Sequence, residues 1–414
     1  MKTATRLFSS LFLLLSLCVI AACGGSNSGG ASSDPNAPKT IVLWHNWQGA
    51  YLDAKKAIFD EYHKQHPNVT IKLVQQADLV NKATTAVKQK NGPDMIAWAD
   101  DALGQLAASR VVIPMDQYIS ADFLKSTYSA PAAQAVTYNG KVYGVPETVE
   151  AVTMMYNKKL LKENDVPKTT DGLLNFAKEY QAKHPGQFGV VWNTTDAYFD
   201  APWFYGFGGY YVKEDGTVGL TSEGSLKATE YLASFRQYMP KQISYDVASS
   251  LFTEGKSAII INGPWSYSDY KKVGIDVGFA KLPTIGATNT PAKPFVGVKS
   301  LWVTSNAKDP ALCADIMKFY TNTENQVKMS KQSSEIPANS AAAQDTSVKE
   351  NPAINGYVAQ IENGIPLPNT PYMSALWKPV QDAMTAVWSG KQSPADAMKA
   401  AQKAAESGVQ NIKG

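Results

Sequence analysis

The 414-residue sequence is short of the side chains from which most catalytic and metal centres are built: it holds three cysteines and four histidines. Cys18 and Cys23 fall in or beside the N-terminal apolar segment. Cys313 therefore stands alone in the remainder, and no intramolecular disulfide framework is available there. Cys313 sits in an apolar helical pattern and is read as core. His63 and His66 stand three apart near the end of a helical pattern, where they complement the helix dipole. Neither they nor His45 and His184 have further ligands close in sequence, so no metal and no cofactor is expected. There is no phosphate-binding Gly-x-x-x-x-Gly-Lys loop, no Gly-x-Ser-x-Gly elbow and no His-Glu-x-x-His helix. Gly206-Phe207-Gly208-Gly209 lacks dinucleotide-motif spacing and reads as a tight turn after an aromatic-rich helix. Charge of one sign is also missing. Lys and Arg number 39 against 36 Asp and Glu, which argues against a nucleic-acid partner or a polybasic membrane surface. No repeat of 20 to 50 residues is evident.

The N-terminus reads as a processing signal. Lys2 and Arg6 precede an apolar run, Leu7 to Ile20, of signal-peptide length. Ile20-Ala21-Ala22-Cys23 has the form of a bacterial lipobox. Residues 1–22 are thus expected to be removed, and Cys23 is expected to carry lipid. Residues 24–39, rich in Gly, Ser, Asn and Pro, form a flexible tether behind it. The expected location is the extracytoplasmic face of the cell membrane, with the lipid as the sole membrane contact.

The remaining chain exceeds what one hydrophobic core usually supports, so two domains are expected. From Ile41 to Ser109, strand and helix patterns alternate three times with short connections. The strands are Ile41–Trp44, Val69–Leu73 and Met95–Ala97, and the helical stripes carry Tyr51, Ala54, Ile58 and Tyr62, then Leu79, Ala83 and Val87. That alternation predicts a parallel sheet with crossover helices. Asn139-Gly140 marks a hairpin turn. A second α/β series starts at Thr153–Tyr156, and helical patterns dominate from Pro310 to the end.

Phe252 to Trp265 is the stretch around which the second series is arranged. Gly255 ends a helix, Ala258–Ile261 is too apolar for a half-exposed strand, and Asn262-Gly263-Pro264 turns the chain into Trp265. In open α/β sheets that end of a strand is where ligands bind. The same association of a ring with a nearby carboxylate recurs. Trp98 precedes Asp101, Glu150 follows Pro146, Asp196 precedes Tyr198 and Phe199, and Trp377 closes Met373-Ser-Ala-Leu-Trp377. Trp44 ends the first strand. Sugars present C–H faces that stack on rings and hydroxyls that bond to planar charged groups. Rings and carboxylates at loops after strands therefore point to a saccharide site.

Several long segments resemble bacterial maltose/maltodextrin-binding proteins, in that family's order. They are "GPDMIAWADD" (Gly92–Asp101), "YNGKVYGVPETVEAVTMMYNK" (Tyr138–Lys158), "EGKSAIIINGPW" (Glu254–Trp265), "KPFVGV" (Lys293–Val298) and "LPNTPYMSALW" (Leu367–Trp377). The resemblance implies a periplasmic-binding-protein-like α/β fold with two α/β lobes, a multi-crossover hinge and a ligand cleft between the lobes. It implies one lobe from residues 40–147 with 299–350 and another from 150–294 with 354–414. Trp98, Trp265 and Trp377 match rings lining glucose sites, Tyr198 and Phe199 an aromatic pair, and Asp101, Glu150 and Asp196 carboxylates taking hydroxyls. Trp44 and Asn46 match the first-strand segment. Gln48 and Gly49 stand where the family has an acid and a lysine, Ala102 where it has an arginine, Tyr267 for a second Trp, and Lys378 for an aromatic. The implied activity is a monomeric receptor, not an enzyme, that closes over maltose, a maltooligosaccharide or a related α-glucoside such as trehalose. It would deliver the sugar to the permease subunits of an ABC importer, whose ATPase is separate. An exported glycosidase acting on α-glucans is the alternative, since it would use the same rings and two of the same carboxylates.

Overall fold

The computed structural model describes residues 36–286 and 288–414. The expected signal peptide, the expected lipid-bearing Cys23 and the expected tether up to residue 35 lie outside the described residues. Two sheets organise the chain, one of seven strands and one of four, each covered by helices. This is the two-lobed α/β architecture expected from the sequence.

The seven-stranded sheet begins as the alternation predicts. Lys39–His45 pairs in parallel with Val69–Gln75 on one side and Met95–Ala99 on the other. The helix Gly49–Gln65 crosses over between the first two, burying Tyr51, Ala54, Ile58 and Tyr62. Leu79–Lys88 makes the second crossover, with Leu79, Ala83 and Val87 inward. The sheet is mixed rather than parallel, however. Phe295–Val303 runs antiparallel to Met95–Ala99, and Gly144–Glu150 runs antiparallel to Phe295–Val303. Some two hundred residues separate Met95–Ala99 from its neighbour, so no local pattern could register that pairing. The approach is close: a Cβ on Gly144 would lie 1.9 Å from the Leu301 carbonyl oxygen.

Glu150 ends its strand in this sheet, and after Ala151 and Val152 the chain enters Thr153–Asn157 of the four-stranded sheet. There Thr153–Asn157 lies between Val277–Ala280 and Ser257–Asn262, antiparallel to both, and Phe188–Val191 runs parallel to Ser257–Asn262 at the edge. Ser257–Asn262 is buried at every position, as its unbroken apolar run requires. Gly255, at φ +67°, releases the preceding helix Tyr245–Thr253 into it. Asn139 and Gly140, both at positive φ, form the turn between Thr137–Tyr138 and Lys141–Val142. Cys313 is buried in the helix Pro310–Tyr320. The C-terminal helices Trp377–Trp388 and Pro394–Lys413 pack on each other, and the latter also packs on Glu223–Ser234.

Beneath the helix Gly49–Gln65 lies a fully buried ionic cluster. The Lys55 ammonium contacts Glu147 and lies 2.6 Å from Glu335 Oε1, with all three side chains at or below 1 % exposure. Tyr320 donates to Glu147 at 2.5 Å, Ser333 donates to Glu335, and the ammonium stands 4.0 Å from the Tyr51 ring centroid. Burial alone lowers the Lys55 pKa, but the two carboxylates outweigh it and leave it raised. Burial also raises the Glu147 carboxyl, against the pull of Lys55. Lys55→Met would strand two carboxylates in a dry interior. Loss of one partner from such a cluster costs about 3–5 kcal/mol, measurable by urea unfolding at pH 7. Without Lys55 the buried Glu147 carboxyl would titrate further above its unfolded value, so the folded state would bind more protons than the unfolded one. The deficit of the variant should therefore narrow as pH falls from 7 to 5.

Candidate functional site

A cavity of about 870 Å³ opens between the ends of the two sheets. Its walls come from elements far apart in the chain. From the seven-stranded side come the loop after Lys39–His45, with Asn46 and Trp47, and the end of Met95–Ala99 with the turn behind it, giving Trp98 and Asp101. Glu150, Gly297 and Lys299 contribute the floor. The opposing wall carries Asp196, Tyr198 and Phe199 at the start of the helix Ala197–Gly206, and Tyr245 and Trp265. Trp377, Lys378 and Gln381 close one end.

Trp98, Trp265 and Trp377 are half-buried, each with part of its ring facing the opening. Trp265 follows Gly263-Pro264, and its ring folds back over that glycine. A Cβ on Gly263 would stand 2.2 Å from the indole carbons. Tyr198 and Phe199 brace the Trp265 ring at centroid distances of 6.2 and 6.3 Å, the second edge-on at 84°. Phe295 holds Trp377 edge-on at 6.3 Å. These contacts fix ring orientation before any ligand arrives, which lowers the ordering cost of stacking.

The carboxylates are held as firmly. Asp101 accepts from Trp377 Nε1 at 3.0 Å. Burial pushes its carboxyl up to about 6, against the lowering effects of Lys299 and of that hydrogen bond. Glu150 is 3 % exposed and accepts from the Tyr51 hydroxyl at 2.5 Å and from Thr148 at 3.3 Å. Beneath them Asp100, 3 % exposed, accepts from the Val298 backbone N–H at 2.9 Å, and burial drives its carboxyl well above the usual range. Asp196 caps the helix Ala197–Gly206 by accepting from Tyr198 N at 2.9 Å; burial raises its carboxyl too. Among the described residues no group of three or more His, Cys, Asp or Glu could hold a metal ion.

Nine of the ten residues that the sequence singles out for binding line this cavity: Asn46, Trp98, Asp101, Glu150, Asp196, Tyr198, Phe199, Trp265 and Trp377. Trp44 does not, and that expectation is corrected. Strand alternation turns Ile41, Leu43 and His45 into the main core, whereas Trp44 packs with Val80 and Trp98 against the cluster under Leu79–Lys88. Trp47 takes the place at the cavity, stacked on His45 at 4.7 Å. Glu147, left out of the site by the sequence reading, is in the ionic cluster instead. Tyr51, Tyr245, Asp246, Asp269 and Lys299 were missed. Ser244-Tyr245-Asp246 repeats the ring-beside-carboxylate signal of Asp196-Ala197-Tyr198 and could have been found by it. Tyr51 reads as a buried helix position and carried no such signal.

The arrangement is that of a binding protein: pre-oriented rings and acceptors converging on a solvent-accessible cleft between two lobes. The chain belongs to the bacterial extracellular solute-binding protein family, whose model matches residues 57–356. Of particular relatives, it is similar to the maltotriose-binding protein of Pyrococcus abyssi, 31 % identical over 83 % of this chain and 76 % of that one. It is also similar to the galactooligosaccharide-binding protein of Bacillus subtilis, 27 % identical over 98 % of each. A maltose/maltodextrin-binding domain from Bdellovibrio bacteriovorus, solved with maltotriose, superposes with a TM-score of 0.84 at 27 % identity, over 91 % of this chain and all of that one. These relatives are binding proteins, not enzymes, and the glycosidase alternative is set aside. Among the described residues no helix is long and apolar enough to cross a membrane.

Asp196 both lines the cavity and caps the helix, and the cap can be tested alone. Asp196→Ala should lower stability by about 1 kcal/mol, and Asp196→Asn, which can still cap, by much less. Thermal unfolding of the two variants checks the order.

Proposed function

We propose that this protein captures maltodextrin-type α-glucosides by lobe closure and delivers them to the permease of an ABC importer, whose ATPase is a separate subunit. The observation that carries the reading is that rings and carboxylates from both lobes face one cleft. A volume of about 870 Å³ is near the upper end for small-molecule sites and suits an oligosaccharide better than a single hexose. A ligand touching both walls favours the closed form in proportion to its differential affinity. The similarity to proteins named for maltotriose and maltodextrin supports this sugar class.

The proposed hinge crossovers fall near residues 146–151, 295–300 and 350–353, with lobes 40–147 plus 299–350 and 150–294 plus 354–414. The passage from Gly144–Glu150 of one sheet into Thr153–Asn157 of the other supports the first of these. The protein acts as a monomer held at the outer face of the membrane by lipid on Cys23, a reading that rests on the Ile20-Ala21-Ala22-Cys23 motif. A second ligand class, galactooligosaccharides, has its support in the Bacillus subtilis relative, which matches over nearly the whole chain.

Titration calorimetry with maltotriose, trehalose and a β-galactooligosaccharide decides among these. Maltotriose should bind at micromolar or lower Kd, with compaction visible in solution scattering. Trp265→Ala should weaken it at least about tenfold, the scale of one lost stacking ring. Absence of maltotriose binding below millimolar would falsify the α-glucoside reading, and tight binding of the galactoside alone would replace it with the second.

A further inference from the structure

The cavity wall is strongly acidic. Asp78, Asp101, Glu150, Asp196, Asp246 and Asp269 line it, against two bases, Lys299 and Lys378. Lys378 is exposed and tied along its own helix to Asp382, at 2.6 and 2.7 Å from the two carboxylate oxygens. Lys299 is placed quite differently. It lies on Phe295–Val303, where the pairing with Gly144–Glu150 shifts register between Lys299 and Ser300. Such an irregularity re-aims side chains and is enriched beside functional sites. The Lys299 side chain is 21 % exposed and its ammonium stands 5.7 Å from the Trp98 ring centroid.

The ammonium is also 3.8 Å from Glu150 Oε2, within ion-pair range but beyond a hydrogen bond. The other oxygen of Glu150 is already engaged by Tyr51 and Thr148. An ammonium carries three donors, and the contacts at Lys299 are electrostatic, so those donors remain available to a ligand. The charged groups that act on it are Asp100 and Asp101 from the turn after Met95–Ala99 and Glu150 from the adjacent strand, while Tyr51, Tyr198 and Asp196 line the same cavity.

We propose that Lys299 is a specificity-determining binding residue: its ammonium donates to a hydroxyl of the sugar stacked on Trp98 and serves as counter-ion to the floor carboxylates Asp101 and Glu150. The first role gives the cleft a charged donor that Asn46 and Gln48 cannot supply. The second follows from position, because the cation on this floor acts on Asp101, where burial otherwise favours the protonated carboxyl. Asp101, already raised to about 6 with Lys299 present, would rise further without it.

This inference rests on the sugar-binding reading above, and the test separates the two. Maltotriose affinity is measured by calorimetry from pH 5.5 to 8.5 for the wild type, Lys299→Met, Lys299→Gln and Lys299→Arg, each with its melting temperature. In the wild type, affinity should fall as pH drops through about 6. In Lys299→Met and Lys299→Gln it should be weaker by about ten- to a hundredfold at pH 7, the cost of one charge-assisted hydrogen bond. The onset of the pH-dependent loss should also move to higher pH. Lys299→Arg should recover most of the affinity and the wild-type profile. Wild-type-like affinity and pH profile in Lys299→Met would overturn the proposal while leaving the sugar-binding reading intact. So would equal weakening in Met and Arg variants with an unmoved profile, the mark of a merely structural lysine. A wild type that binds no maltotriose would remove both.

Discussion

A carboxylate withdrawn from water must be met by donors or take up a proton, and that constraint ties the site together. Asp100, Asp101 and Glu150 lie within or beside the cleft floor, and each is held by a donor from a distant part of the chain. Val298 N–H serves Asp100, the Trp377 indole serves Asp101, and the Tyr51 hydroxyl serves Glu150. Those three donors come from the long strand shared by Gly144–Glu150 and Met95–Ala99, from the head of a C-terminal helix, and from the first crossover helix. Holding acceptors in this way joins the outlying elements to the floor and fixes the acceptors' direction. The same hydrogen bonds thus brace the fold and shape the cleft floor.

The rings obey a parallel rule. A large indole at a cleft edge keeps one orientation only if other rings occupy the space behind it. Phe295 does this for Trp377, and Tyr198 with Phe199 does it for Trp265. Gly263 lacks a side chain because the indole lies where one would be. The short segment Asn262–Trp265 therefore works as a unit, with the turn and the ring it presents fixed by the same contact.

Much of this was legible in the sequence. Ser257–Asn262 could be read as doubly buried from an apolar run of strand length, and Leu79, Ala83 and Val87 as one inward stripe from helical spacing, since both depend on local periodicity. The ring-and-carboxylate association located eight lining residues, most of them at or just after strand ends, where α/β sheets leave room for ligands, and the family resemblance added Asn46. Trp44 went astray by alternation: a residue at the end of a strand can face either side, and Trp47 beyond it was the one that reached the cavity. Lys299 was illegible for a deeper reason. Its aim depends on a register irregularity between strands about 150 residues apart, and nothing near it in the chain records that.

The long separation between Met95–Ala99 and its partner Phe295–Val303 reaches beyond the finished structure. A sheet completed by a strand so far downstream has high contact order and forms slowly, because the ordering cost of the intervening loop precedes its reward. During synthesis, the first three strands lack their antiparallel neighbour until most of the polypeptide has emerged. In a family described as extracellular, a sheet that cannot close until its late strand arrives leaves the unfinished chain loosely structured for longer.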